Sequence, residues 1–225
     1  SAQNMLQRIR ELAIQSSNGG LSGTDRTIIA KEVSSLRDAL LSLANTEDES
    51  GNFIFSGTSV KTPAFSKDAN GVIAYEGDQN QTSVDISEYR QVSINRPGDA
   101  VFSSVSRISE AGGQEMIGFF TVINDFTDAL ESGGEVELSR GLSEVSILTD
   151  DMALSLADIG SRMNTVDSQR DILADAKLRY QELLSNAEDL DYATAVTKLS
   201  AQVLSLEAAQ ASFAKISQLN LFNYL

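Results

Sequence analysis

Apolar side chains recur at steps of three and four residues through most of this chain, a period that predicts helix. Residues 2–17 carry Leu6, Ile9 and Ala13, with Leu12 offset by one, and stop at the turn-forming run from Asn18 to Gly23. A second helix, capped by Thr24 or Asp25, aligns Ile28, Ile29, Val33, Leu36, Leu40 and Leu43, then frays in the acidic run Asn45 to Asn52. After Glu110 to Gly113, the positions Met116, Ile117, Phe119, Phe120, Ile123, Phe126 and Leu130 predict a short helix that ends at Gly133 and Gly134. From about Val136 to Ala187 there is no proline, and Ile159, Met163 and Val166 lead into Leu173, Ala176, Tyr180, Leu183, Ala187 and Leu190. Arg170 interrupts that stripe. A helix of about 50 residues spans ~75 Å at ~1.5 Å per residue, a length that suits coiled coils and elongated bundles. Gly160 lies inside it, either as a tolerated surface glycine or at a close helix crossing.

Between these helices the period changes. From Asn52 to Phe102 the segments are short, β-branched or aromatic, and broken by Gly, Asn, Asp and both prolines of the chain. Asn70-Gly71 predicts a type I′ hairpin turn with Val72, Ile73 and Tyr75 in the following strand, and "TSVDISEY" and "QVSIN" add two alternating segments. Residues 51–107 therefore read as a small antiparallel β domain inserted in a discontinuous helical rod, 1–50 and 108–190.

The last segment, 191–225, has only Asp191, Lys198, Glu207 and Lys215 as charges. Its stripe of Val196, Leu199, Val203, Leu206, Ala209 or Gln210, Phe213 and Ile216 runs on into Leu219, Leu221, Phe222, Tyr224 and Leu225. Ordering such a tail costs more entropy than its own side chains return on burial, so its helix must form together with a packing partner. The expectation is a tail largely disordered in the free monomer and helical in an assembly. The chain opens without Met, already in helical register and uncapped, as a piece of a longer protein would. A helix upstream of Ser1 would then cover the tail.

Composition narrows the chemistry. Seventeen basic against 32 acidic residues give a net charge of −15, which disfavours nucleic acid and anionic membrane as partners. Cysteine and histidine are both absent, removing disulfides, thiolates and the commonest general base and metal ligand. No apolar run is long enough to span a membrane and no signal peptide is visible. "SFAK" (Ser212 to Lys215) matches the Ser-x-x-Lys of penicillin-binding enzymes without its companion motifs. "NQT" (Asn80 to Thr82) reads as a polar turn rather than a glycosylation acceptor, "DANG" as a hairpin turn rather than a calcium loop, and "TEDES" as a solvated loop. A carboxylate-based glycosidase requires two acids about 5–10 Å apart across a cleft, and no motif pairs them. No catalytic, cofactor or metal residue is assigned.

Several stretches resemble a known family. "LQRIRELAIQSSNG" (Leu6 to Gly19) is similar to the N-terminal helix of bacterial flagellins, and "AEDLDYATAVTKLSAQ" (Ala187 to Gln202) to their C-terminal motif. Ile159, Gly160 and Asn164 also match, whereas Thr165 stands where flagellins often have Arg. "GNFIFSGTSVKTPAF" (Gly51 to Phe65), "YEGD" (Tyr75 to Asp78), "INRPGDAVF" (Ile94 to Phe102) and the aromatic ending "ISQLNLFNYL" resemble the hook-associated members of the flagellin-like family.

That resemblance implies a mainly α fold: an elongated, coiled-coil-like bundle of long helices of flagellin type plus the small antiparallel β domain. It implies a structural subunit of the bacterial flagellum, in the junction ring between the first hook-associated protein and the flagellin filament, with a flagellin proper as the alternative. Implied partners are neighbouring copies, the first hook-associated protein, flagellin and an export chaperone for the C-terminal helix. Export would be through the flagellar type III apparatus to the cell exterior, without a cleaved signal. Interface residues would be Val203, Leu206, Phe213, Ile216, Leu221, Phe222 and Leu225. In some flagellins the helix matching Gln7 to Gln15 is read by an immune receptor through positions matching Arg8 and Leu12; packing is the preferred role for both here.

Overall fold

The computed structural model describes residues 1–17, 20–109, 112–188 and 192–218. The chain divides into two compact units, Ser1–Gln169 and Arg170–Leu225. The first unit opens with helix α1 (Ala2–Ser17), which buries Leu6, Ile9, Leu12 and Ala13. Helix α2 (Gly23–Ala44) begins ahead of both expected caps, Thr24 and Asp25. Ser22 is the N-cap: its Oγ accepts from the Asp25 N–H at 3.2 Å, and the Asp25 carboxylate accepts from the Ser22 N–H at 3.1 Å. This reciprocal capping box satisfies two amides that would otherwise lack acceptors. The buried face of α2 is Ile29, Ala30, Val33, Leu40 and Ala44. Ile28, one residue off that stripe and therefore turned by roughly 100°, is 60 % exposed.

Among the described residues the named strands form three separate two-stranded antiparallel sheets. Strands β1 (Phe65–Lys67) and β2 (Ile73–Tyr75) pair first, then β3 (Ser83–Ser87) with β4 (Arg90–Ser93). After the short helix α3 (Gly98–Val101), β5 (Val105–Ile108) pairs with β6 (Gln114–Ile117). Met116 and Ile117, expected to open a helix, are thus strand residues, and strands extend past the expected limit at 107. The Asn70-Gly71 turn also differs from expectation. Type I′ requires positive φ at both residues, but only Gly71 has it. The loop is a five-residue turn closed by Gly71 N–H to Asp68 O and Asp68 N–H to Val72 O, with the Asp68 carboxylate accepting from the Asn70 and Val72 amides. Asp48 organises Gly51 and Asn52 in the same way within the acidic run read as solvated loop.

Helix α4 (Phe119–Ser132) buries Phe119, Phe120, Val122, Ile123, Phe126 and Leu130. Phe120 meets Phe65 and Phe102 at ring-centroid distances of 5.1 and 5.8 Å, joining the β hairpins and the helices in one core. Helix α5 (Glu135–Glu188) contributes to both units, and its first part buries Leu138, Val145, Leu148 and Met152. A close helix approach does exist, at Gly141 rather than Gly160. A Cβ on Gly141 would lie 2.5 Å from Phe126 Cδ2, whereas one on Gly160 would meet nothing within 4 Å. Helix α6 (Tyr192–Gln218) belongs to the second unit.

Candidate assembly surface

The motif residues at the start of the β region build an internal knot. The Asp78 carboxylate accepts from the Thr58 hydroxyl at 2.6 Å, the Thr58 and Asn80 amides at 2.9 Å and the Ser59 hydroxyl at 2.9 Å. These donors, the Thr58 hydroxyl first, hold Asp78 far below the usual carboxylate range against the opposing effect of burial. Gly57 has φ +68°, and a Cβ there would lie 2.3 Å from the Asp78 carbonyl oxygen, so only glycine fits. The Tyr75 hydroxyl donates to Asp78 O at 2.7 Å, with Phe55 O a longer 3.1 Å away. Gly98 N–H donates to Phe55 O at 2.7 Å, and a Cβ on Gly98 would lie 2.8 Å from the Phe65 ring. "FSGTS", "YEGD" and "RPG" therefore converge on one hydrogen-bonded cluster. Arg8 bridges to Glu32 of α2 at 2.7 Å with its side chain half exposed, and Leu12 is buried.

The residues missed at the level of sequence are three carboxylates on α5. Arg107 donates to both oxygens of Glu144 at 2.7 and 2.6 Å and to Asp125 of α4 at 2.5 Å. Ser103 donates to Asp151 at 2.8 Å, and Arg96 to Asp158 at 2.6 Å. The seven-residue spacing of Glu144, Asp151 and Asp158 is visible in the sequence, but acids on a long helix ordinarily read as its solvated side.

The second unit is the opposite of a core. Val203, Leu206, Phe213 and Ile216 are all exposed on α6, Phe213 to 73 %, together with Val196, Leu199 and Leu204. Val196, Leu199, Val203, Leu206 and Phe213 share one helical face; Ile216 is displaced from Phe213 by roughly 60° at about 3.6 residues per turn. Gln210 is the polar residue within this seam. Leu221, Phe222 and Leu225 lie outside the described residues. On the part of α5 in this unit, Leu173, Ala176, Lys177, Tyr180, Gln181 and Leu184 line a shallow groove. Among the described residues no group of His, Cys, Asp or Glu could hold a metal ion, and no helix is long and apolar enough to cross a membrane.

The described residues thus present a helical N-terminal segment, small β hairpins and a last helix with an exposed apolar seam. The family model for the bacterial flagellin N-terminal helical region matches residues 1–60. Beyond that segment, the chain is similar to flagellar hook-associated protein 3 of Escherichia coli strain K12, with 26 % identity over 230 residues that cover 96 % of this chain and 72 % of that protein. The fold is that of Xanthomonas campestris FlgL, with a TM-score of 0.70 and 20 % identity over 82 % of this chain and 90 % of that one. It also matches the flagellar junction protein FlgL from Legionella pneumophila, with a TM-score of 0.62 and 18 % identity over 74 % and 88 % of the two chains. These relationships agree with the mainly α fold and small antiparallel hairpins expected from the sequence.

Proposed function

We infer that this chain is a structural subunit of the bacterial flagellum, at the junction between hook and filament. The observation that carries the reading is similarity to flagellar hook-associated protein 3 along nearly the whole chain. The exposed α6 seam supports a mechanism. Each large apolar side chain removed from water contributes about 1.5–3 kcal/mol, and a heterologous contact repeated around an axis closes a ring. Val203, Leu206, Phe213 and Ile216, with Leu221, Phe222 and Leu225 beyond them, form the proposed interface.

The partners in this reading are neighbouring copies, the first hook-associated protein on the hook side and flagellin on the filament side. An export chaperone shields the terminal helix before assembly, and the subunit leaves the cell without a cleaved signal. The role is structural, as in the relatives, and no catalysis is assigned. Adding purified protein to isolated hooks that carry the first hook-associated protein tests the reading. A junction subunit adds a bounded amount of protein and then accepts flagellin. Continued growth into long filaments of this protein alone would instead make it a flagellin.

A further inference from the structure

The stretch from Arg96 to Arg107 runs antiparallel to α5 along one face of that helix. In order, Arg107 meets Glu144, Ser103 meets Asp151, the Ala100 carbonyl accepts from Ser155 at 3.5 Å, and Arg96 meets Asp158. Residues seven apart on a helix are two turns, or about 10.5 Å, from each other on nearly the same side. Glu144, Asp151 and Asp158 therefore form a ladder of carboxylates, and the 96–107 segment is a strap fastened to it at each rung.

The rungs differ in what their release leaves behind. At the inner end, Arg107 serves both Asp125 and Glu144, and the Glu144 side chain is only 7 % exposed. Withdrawing that guanidinium leaves a buried carboxylate without its cation, which is strongly unfavourable. At the outer end, the Asp158 side chain is 44 % exposed, and the same oxygen that takes Arg96 also takes Arg162 at 2.9 Å. Withdrawing Arg96 thus leaves Asp158 still paired within its own helix and open to water. The middle rung is one hydroxyl donor from Ser103. Salt acts in the same direction: exposed pairs are screened at a Debye length of about 3 Å in 1 M salt, against about 30 Å at 0.01 M, while buried pairs are screened far less.

We propose that residues 96–107 are a graded strap that opens from the Asp158 end while the Arg107 lock holds hairpin β5–β6 in place. Arg96 immediately precedes Pro97-Gly98, whose amide donates to Phe55 O. Opening the outer rung therefore loosens the attachment of α3 and of the Phe55–Gly57 turn without unpacking the helical core.

Hydrogen exchange read by mass spectrometry on the full chain, at 0.01 M and 1 M NaCl, tests the strap. Amides of 98–102, including Phe102 N–H bonded to Gly98 O, exchange about two- to fivefold faster at high salt, as expected for a partly exposed pair. Amides of 105–108 and 114–117 do not respond. Arg96→Gln gives fast exchange of 98–102 at both salt concentrations and removes the salt response. Equal responses in both segments, no response in either, or a response confined to the β5–β6 amides would each overturn the proposal, and the unsubstituted chain alone suffices to see them.

Discussion

Helices α4 and α6 carry the same kind of pattern and meet opposite fates. In α4, Phe119, Phe120, Val122, Ile123, Phe126 and Leu130 are all buried, by hairpin residues on one side and by α5 at Gly141 on another. In α6, Val196, Leu199, Val203, Leu206, Phe213 and Ile216 are all exposed. Apolar periodicity states that a face needs cover; it does not state where the cover comes from. In α4 the cover is supplied by the same unit. For α6 the proposed cover is another helix of an assembly.

The largest expected effect separates the two helices directly. Phe120→Ala removes a fully buried ring and should cost about 3–5 kcal/mol in urea unfolding. Leu206→Asp should leave that unfolding midpoint unchanged while abolishing self-association and binding to hooks in sedimentation assays, because it sets a charge into a seam worth about 1.5–3 kcal/mol per apolar side chain. In the dilute monomer the α6 amides should exchange freely and become protected only on assembly. If Leu206→Asp destabilised the monomer as Phe120→Ala does, the contrast between the helices would be lost.

The two helical glycines sharpen the same contrast. Gly141→Val forces a side chain against Phe126 and should cost about 1–3 kcal/mol of stability. Gly160→Ala meets nothing within 4 Å and should stabilise the monomer by about 0.5–1 kcal/mol. A Gly160→Ala protein that is more stable alone but fails to assemble would place a helix crossing between copies at that position.

The smallest effect concerns the knot around Asp78. Its carboxylate has a depressed folded pKa, so the stability it contributes is present above the unfolded value near 3.8 and is lost as pH falls below it toward the lower folded value. Asp78→Asn should therefore flatten the decline of the urea midpoint between pH 4 and pH 2. An unchanged decline would show that other carboxylates dominate acid unfolding.

Much of this fold is legible in residue order. The boundaries of α1 and α5, the hairpin at Asp68 to Val72 and the change of period near residue 51 all follow from local rules of spacing and turn chemistry. What was misread has identifiable causes. Ser22 caps α2 because Asp25 can return its hydrogen bond, a reciprocity that single-residue preferences do not reveal. Met116 and Ile117 look helical beside Phe119 and Phe120, yet the Gly112 turn, with φ +80°, pairs them with β5. Asp48 is a solvent-exposed loop residue as expected, and only the structure adds that its carboxylate accepts from amides of its own turn.

By itself the sequence determined that this is a chain of long helices with a β-rich interruption and a last helix that carries an apolar stripe. Those properties are local, set by the side-chain period and by the dihedral freedom of glycine, asparagine and proline. Only the tertiary structure decided that a close crossing within this chain lies at Gly141, that "FSGTS", "YEGD" and "RPG" form one knot, and that Glu144, Asp151 and Asp158 fasten a strap. Each of these depends on which distant residue arrives opposite a given side chain. Such pairings are fixed by the packing of the whole unit and leave no periodic trace along the chain.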